Sequence, residues 1–220
     1  MEIIVVDYKA LKLEEETDLI ISKLPEEDRE RIGRFRMSAD RIRGAVSAVL
    51  SRSMAAEAFP EREIVIGRTE RGKPYLLGAE GFFFNISHSG NLIVYAGGGK
   101  SIGVDVEIEK AVQPEKFRRF FSPEEMKMLS SDPEPEKLFF RIWTVREAFT
   151  KMTGLGIAML EQELRIDHAK KQVQYQGKSY SFETTEYQDH VISLCVEDHI
   201  GEMSLRIVTR EEWDGMLERI

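Results

Sequence analysis

Helical segments followed by several short strand-like runs occur twice along this chain of 220 residues. In the first half, apolar residues at helical spacing predict helices over residues 25–35 and 39–57, and alternating runs follow up to residue 109. In the second half, Ser122 and Glu125 fit a capping box, a helix is predicted over residues 134–152, and strand-like runs extend to residue 210. This repeated order predicts an α+β fold of two similar lobes, each a small antiparallel sheet with helices.

The charge, hydropathy and cysteine content of the chain exclude several classes of partner and of site. The net charge of −8 disfavours non-specific nucleic-acid binding, because a phosphate backbone would meet a mostly repulsive field. No run of roughly 20 apolar residues is present, so no membrane span or secretion signal is predicted and a cytoplasmic protein is expected. Cys195 is the only cysteine, which excludes an internal disulfide and a cysteine-based zinc site.

The run "SIGVDVEIEK" places Asp105, Glu107 and Glu109 at every second position of an otherwise apolar strand. Alternate side chains of a strand share a face, so these carboxylates are predicted to lie on one side. A solvated surface strand would explain the pattern. The alternative is that neighbouring carboxylates share a divalent cation, and oxygen ligands without a nearby His or Cys suit Mg²⁺.

The predicted helix over residues 134–152 carries polar residues on a second side. Phe140 and Trp143 share that side with Glu147 and Lys151, whereas an apolar stripe marks the core face. A simple ion pair between residues i and i+4 is one interpretation of Glu147 and Lys151. The other is that the flanking aromatic residues mark a covered side, which places both charged groups in a cleft.

Two further segments offer anion-binding groups. In "FFFNISHSG", Ser87, His88 and Ser89 follow an apolar strand, either as turn-stabilising hydroxyls or, for His88, as a phosphate contact. Neighbouring strand residues face opposite ways, so this is not a nucleophile–base pair. Residues 29–43 hold six arginines, which indicate either a solvated helix face or a local anion site.

Four segments in order, "RGKPY", "FNISHSG", "IGVDVE" and "WTVREAFTK", closely resemble the 4′-phosphopantetheinyl transferases of the Sfp type. The resemblance runs from about Phe35 to Ile157. It implies a pseudo-twofold monomer with the active site between the lobes, residues 1–102 on the adenosine and 3′-phosphate side and residues 103–220 on the metal and carrier side. The implied reaction moves phosphopantetheine from coenzyme A to a serine of an acyl or peptidyl carrier protein and releases adenosine 3′,5′-bisphosphate.

The resemblance also assigns roles to single residues. It implies that Asp105, Glu107 and Glu147 bind Mg²⁺, with Glu147 close to the attacking hydroxyl. The catalytic group it implies is Glu147, Lys151 and His88. The coenzyme A contacts it implies are Arg31, Arg43, Lys73, Pro74, Ser87, His88, Ser89 and Lys151. Glu109 lies beyond the metal-binding pair and is expected to face water.

Three positions depart from the family's usual pattern. Arg146 precedes Glu147 where the family usually has lysine, Asp28 lies where lysine is frequent, and Leu155 replaces a frequent lysine in the turn after the helix. None of the three is an implied metal ligand. Asp28 weakens the assignment of Arg31 to the 3′-phosphate.

The segment "AVQPEKFRRFFS" is a hypothetical docking site for an acidic carrier helix, with Phe117, Phe120 and Phe121 among basic residues. These phenylalanines could equally belong to the core.

Two other functions are compatible with the same carboxylates and arginines: a Mg²⁺-dependent phosphohydrolase or nuclease, and a coenzyme A-binding module without catalysis.

Overall fold

The computed structural model describes residues 1–156 and 164–220. Its helices are α1 (Thr17–Lys23), α2 (Glu26–Gly33), α3 (Ser38–Ala58), α4 (Pro123–Ser131), α5 (Pro135–Thr153) and α6 (Arg210–Glu218), with 3₁₀ turns at Leu13–Glu16 and Pro114–Phe120. Its strands are β1 (Glu2–Asp7), β2 (Ile66–Arg68), β3 (Pro74–Leu76), β4 (Phe83–Ser89), β5 (Leu92–Gly98), β6 (Ile102–Ile108), β7 (Arg165–Asp167), β8 (Gln172–Tyr175), β9 (Lys178–Tyr187), β10 (His190–Val196) and β11 (Ser204–Ile207). The α+β class is confirmed.

Two sheets organise these elements. The first has the order β11-β1-β5-β4 and the second the order β6-β10-β9-β8-β7, while β2 and β3 form a separate pair. The second sheet is antiparallel, as the sequence predicts. The first is mixed, because β11 pairs parallel to β1. A parallel pair needs a long crossover connection, and here the chain builds the whole second sheet before it returns to the first.

The apolar run of β1 is explained by burial on both of its faces. Ile4 and Val6 lie in a core shared with α3 and α6, whereas Ile3 and Val5 lie in a core shared with β6 and β10. Alternate residues of one strand therefore serve two layers. The layer between the sheets joins both halves of the chain into one packed unit, and α5 covers the other face of the second sheet.

The long helices fall close to their predicted bounds, and Ser122 with Glu125 forms the predicted capping box of α4. The sequence interpretation missed α6, although Thr209 and Glu212 form a second capping box at its start. Within the described residues, every helix is too short or too polar to cross a membrane. Ile157, at the end of the segment that resembles the transferases, lies outside the described residues.

Candidate active site

Two edge strands from different sheets meet side by side and are joined by side chains. The Oδ1 atom of Asn85 on β4 accepts a hydrogen bond from the backbone N–H of Val104 on β6, at 3.1 Å. The Oγ atom of Ser89, four residues along the same face of β4, accepts one from the N–H of Ile108, also at 3.1 Å. Side chains thus supply the hydrogen bonds that a continuous sheet would take from its backbone. We call this line between β4 and β6 the seam.

Two of the predicted metal ligands lie on the seam. Ser87 donates a hydrogen bond from Oγ to Asp105 Oδ1 at 2.8 Å, and Ser89 donates one from Oγ to Glu107 Oε2 at 2.8 Å. Asp105 is only 3% exposed. Its second carboxylate oxygen, Oδ2, is buried and has no hydrogen-bond partner among the described residues. A buried carboxylate oxygen without a partner is costly unless a ligand satisfies it.

Gly103 explains how α5 comes close enough to the seam. A Cβ atom at this position would collide with the Ala148 carbonyl and the Met152 backbone nitrogen, so only glycine allows the helix to lie directly against β6. The ammonium of Lys151 then reaches Asp105 Oδ1 at 2.5 Å and Ser87 Oγ at 2.6 Å. Lys151 therefore pairs across the seam, and the cleft interpretation of α5 is favoured over a surface pair with Glu147.

The carboxylates influence one another electrostatically. Burial, followed by the charge of Asp105, raises the pKa of Glu147 to about 7, and the charge of Lys151 only partly opposes this rise. Burial also raises the pKa of Glu107, against the hydrogen bond from Ser89. One lysine does not compensate three neighbouring carboxylates, and a bound cation would lower both pKa values.

The donor set suits a hard cation such as Mg²⁺, because it consists of carboxylate oxygens and includes the unpartnered Oδ2 of Asp105. In residues 1–156 and 164–220, however, no three His, Cys, Asp or Glu side chains already converge closely enough to hold a metal. A site of a few protein carboxylates completed by water and phosphate oxygens fits this geometry better than a full protein cage.

His88 faces the helical side of the first sheet, away from the carboxylates. His88 is exposed at the surface of the strand, and partial desolvation, followed by the positive charges of Arg43 and Lys151, lowers its pKa. Arg43 lies on α3 and pairs with Asp40 at 2.5 Å. His88, Arg43 and Lys151 are thus within electrostatic range of one another, as the prediction of phosphate contacts requires.

A cavity of about 270 Å³ lies beside Lys151, between the turn before β3 and the end of α5. Its lining consists of Arg71, Gly72, Lys73, Pro74, Asn85, Ile86, Thr150, Lys151, Gly154 and Gly156. Lys73 donates a hydrogen bond to the Met152 carbonyl at 2.7 Å, and burial lowers its pKa. Arg71, which the sequence interpretation missed, donates to the Gly154 carbonyl at 3.1 Å. The turn before β3 therefore meets the end of α5 through two cations, which suits the negative end of a helix dipole.

Arg31 lies in a different network. It pairs with Asp28 at 2.8 Å, and Asp28 also accepts from the buried Arg52 at 2.7 Å. Asp28, which departs from the family's usual lysine, thus joins α2 to α3. The structure does not bring Arg31 to the seam, and its contact with coenzyme A stays a prediction.

A larger cavity, of about 480 Å³, lies between α4, α5 and β9, and none of the predicted site residues lines it. Its cationic groups are already paired, Arg141 with Glu186 at 2.5 Å and Lys171 with Glu183 at 2.7 Å. The smaller cavity beside the seam is therefore the better candidate for a substrate site.

The sequence was also compared with known proteins. A model of the 4′-phosphopantetheinyl transferase N-terminal domain matches residues 12–100, and one of the 4′-phosphopantetheinyl transferase superfamily matches residues 101–201. A phosphopantetheinyl transferase of Thraustochytrium sp. is 31% identical over an alignment that covers 85% of this chain and 75% of the relative. The chain belongs to the 4′-phosphopantetheinyl transferase family.

Two bacterial relatives extend this finding. A 4′-phosphopantetheinyl transferase of Bacillus subtilis is 34% identical over 148 residues, 66% of this chain and 66% of the relative. The 4′-phosphopantetheinyl transferase Sfp of Bacillus subtilis strain 168 is 31% identical over 150 residues, 66% of this chain and 67% of Sfp. The chain thus spans about two thirds of the length of these bacterial members of the family.

The structure explains one departure from the family's pattern. Arg146 is 2% exposed and donates from Nη2 to Glu125 Oε2, the oxygen that also accepts from Ser122 N–H at the start of α4. Its guanidinium lies 5.6 Å from the centre of the Phe121 ring. Arg146 therefore faces the core on α5, and its substitution for lysine does not alter the seam.

The phenylalanines of the hypothetical docking segment belong mainly to the core. The Phe117 and Phe120 rings lie 5.4 Å and 5.6 Å from the Trp143 ring, and Phe121 is buried beside Phe139. The core interpretation of these rings is favoured. Arg118 is exposed on the same segment, so any docking there would depend on charge.

Proposed function

We propose that this chain transfers the 4′-phosphopantetheine group of coenzyme A to a serine hydroxyl of an acyl or peptidyl carrier protein, with Mg²⁺, and releases adenosine 3′,5′-bisphosphate. The observation that carries the proposal is the contact of Lys151 with Asp105 at the seam, where Asp105 Oδ2 is buried and has no partner among the described residues and where Glu107 and Glu147 are near enough to interact electrostatically. Family membership supports the same activity.

In this proposal, Asp105, Glu107 and Glu147 hold the metal. Bound Mg²⁺ would neutralise charge on the pyrophosphate and on the departing bisphosphate. The hydrogen bonds from Ser87 and Ser89 orient the two strand carboxylates before any ligand arrives, so little reorganisation is needed. The three carboxylates then no longer repel one another, which accounts for their placement on one side of the seam.

Lys151 and His88 act on the phosphate groups. Lys151 lines the cavity of about 270 Å³, and its ammonium would stabilise the negative charge that builds as the pyrophosphate bond breaks. His88 supplies a hydrogen-bond donor, and Arg43 supplies a fixed positive charge for the adenosine 3′-phosphate. Lys73 and Pro74 line the cavity on the adenine side.

Glu147 has two conceivable roles, and we rank metal ligand above general base. A pKa of about 7 would suit a base that takes the proton of the carrier serine. A carboxylate bound to a divalent cation is a weak base, however, because the cation lowers its pKa. Glu147, or a water that it orients, remains close to the attacking hydroxyl in either role.

The division of labour between the lobes is part of the proposal. Residues 1–102 would hold the adenosine and the 3′-phosphate, and residues 103–220 would hold the metal and the carrier protein, within a monomer. The seam lies at this division, since β4 belongs to the first part and β6 to the second.

Mass spectrometry of an apo carrier protein after incubation with the chain, coenzyme A and Mg²⁺ tests the proposal. Transfer adds about 340 Da to the carrier through a phosphodiester on its serine. Phosphate release without this gain would indicate hydrolysis, and binding without either would indicate a coenzyme A-binding module. The matched control is Asp105→Ala, which should abolish the gain while the protein stays folded.

A further inference from the structure

The turn from β4 to β5 is held from outside by three hydrogen bonds. Tyr8 donates from its backbone N–H to the Asn91 carbonyl at 3.2 Å and from its hydroxyl to the Gly90 carbonyl at 3.3 Å. The third bond joins His190 Nε2 to the Ser89 carbonyl oxygen at 3.1 Å. A carbonyl oxygen only accepts, so Nε2 carries the proton in this contact.

His190 comes from the other sheet and fits closely under the turn. It begins β10, lies opposite Ile108 of β6, and is 1% exposed. Its Nδ1 atom lies 2.8 Å from an Asp189 carboxylate oxygen. A Cβ atom at Gly90, whose φ is +55°, would lie 2.9 Å from His190 Nε2, so glycine lets the ring approach the turn. The contact of Nε2 with the turn is thus the one that orients the ring, because the buried Nδ1 atom has no hydrogen-bond partner among the described residues.

Ser89 connects the turn held by His190 to the metal-ligand side of the seam. Its carbonyl accepts from His190, while its hydroxyl accepts from the Ile108 N–H and donates to Glu107 Oε2 at 2.8 Å. A shift of the Ser89 backbone would move the hydroxyl and release the Glu107 carboxylate. Residues that orient a ligand side chain in this way contribute to the function of metal sites without touching the metal.

We propose that His190 is a positioning residue of the seam: it fixes the backbone of Ser89 and, through the Ser89 hydroxyl, the orientation of Glu107. The role of Glu107 as a metal ligand rests on the function proposed above. The restraint on Ser89 itself does not, and it can be measured without turnover.

The test compares His190→Leu with His190→Gln. Leucine removes the donor and keeps an apolar side chain, whereas the glutamine amide can donate from about the same position as Nε2. Hydrogen exchange followed by NMR reports the Ile108 N–H, which donates to Ser89, and the Val104 N–H, which donates to Asn85 at the other end of the seam. We expect His190→Leu to accelerate exchange at Ile108 about tenfold or more and to leave Val104 unchanged, with His190→Gln close to wild type.

Transfer kinetics form the second measurement. His190→Leu should lower kcat by roughly tenfold and raise the Mg²⁺ concentration required, with the KM for coenzyme A within about twofold of wild type, and His190→Gln should restore most of kcat. Ser193→Ala is the matched control, because Ser193 is fully buried on the same strand and bonds Thr144 and Thr184 rather than the turn. It should change neither the Ile108 exchange nor kcat.

Unchanged Ile108 exchange in His190→Leu would overturn the proposal, as would equal effects of Leu and Gln or of Ser193→Ala. Failure of the proposed function is a different result. If wild type transfers nothing while Ile108 exchange follows the expected order of variants, the restraint on Ser89 stands and the assignment of the reaction falls.

Discussion

The two sides of α5 handle buried charge in opposite ways. Arg146 faces the core and pairs with Glu125, and both side chains are at most 4% exposed. Glu147, the next residue, faces the seam, where burial and Asp105 raise its pKa to about 7 and no hydrogen bond from the described residues opposes the rise. A buried charge that is matched by one opposite charge supports the fold, whereas the neighbouring carboxylates at the seam, which outnumber the one lysine, indicate a ligand.

Breaking the ion pair between Arg146 and Glu125 should have the largest effect, and this effect is on stability. Arg146→Met leaves Glu125 buried without its cation, and we expect the free energy of unfolding to fall by about 3–5 kcal/mol. Urea denaturation measures this loss. In the double variant with Glu125→Leu, no unpaired charge stays buried, so part of the lost stability should return. The recovery should fall short by about 1 kcal/mol, because Glu125 also caps the start of α4. A loss below about 1 kcal/mol in Arg146→Met would contradict the structural role, and transfer by the folded variant should stay near wild type.

Removing a charge on the seam side should affect the reaction instead. Asp105→Ala or Glu147→Gln should lower transfer at least a hundredfold at saturating Mg²⁺, about 2.7 kcal/mol of transition-state stabilisation, while the protein stays folded. Steady-state kinetics with an apo carrier measure this. Glu109→Gln is the control: it lies beyond the end of β6, and its transfer rate should remain within about twofold of wild type. Near-normal turnover by Asp105→Ala would refute the metal assignment.

The sequence was sufficient for most of the helices and strands, although not for α6, and for the charged residues that meet at the seam. Alternation on β6 and helical spacing on α5 predicted which side Asp105, Glu107, Glu147 and Lys151 share. Sequence spacing could not predict that β4 and β6 are edge strands joined by Asn85 and Ser89, because that depends on how two sheets pack. It could not place β11 in the first sheet either, because the pairing partners are some 200 residues apart in the chain.

The function of a single charged residue was harder to predict. Arg146 and Glu147 are neighbours in sequence, yet about 100° of helical rotation puts one in the core and the other at the seam. His190 gave no sequence signal, because it is an isolated histidine at the start of an apolar strand. Only the distance from Nε2 to the Ser89 carbonyl distinguishes it from an ordinary core residue.

Glu147 should also make the stability of the protein depend on pH, in contrast to the paired Glu125. The folded pKa of Glu147, about 7, lies above its unfolded value of 4.5, so its stabilising contribution is present below about pH 4.5 and is lost as pH rises through 7. Glu147→Gln does not titrate. Without Mg²⁺ it should therefore match wild type near pH 4.5 and become more stable by roughly 1–2 kcal/mol at pH 8.

Urea denaturation of both proteins across this pH range, in the presence of a chelator, measures the difference. Added Mg²⁺ should stabilise wild type more than Glu147→Gln at pH 8, because the metal favours the charged carboxylate. Two stability curves that stay parallel from pH 4.5 to 8 would show that Glu147 is not held in an unfavourable charged state, and the contrast with the paired Glu125 would disappear.

The smallest expected effect is on carrier binding at the segment over residues 111–122. The core contains the rings of Phe117, Phe120 and Phe121. Docking of an acidic carrier helix on this segment would therefore depend on exposed cations such as Arg118. Arg118→Glu should raise the carrier KM several-fold, under about 1 kcal/mol, and leave the affinity for coenzyme A unchanged. Lys178→Glu makes the same charge change on the exposed end of β9 and should leave the carrier KM unaltered. An unchanged carrier KM in Arg118→Glu, or equal effects of the two variants, would mean that overall charge rather than this segment governs the encounter.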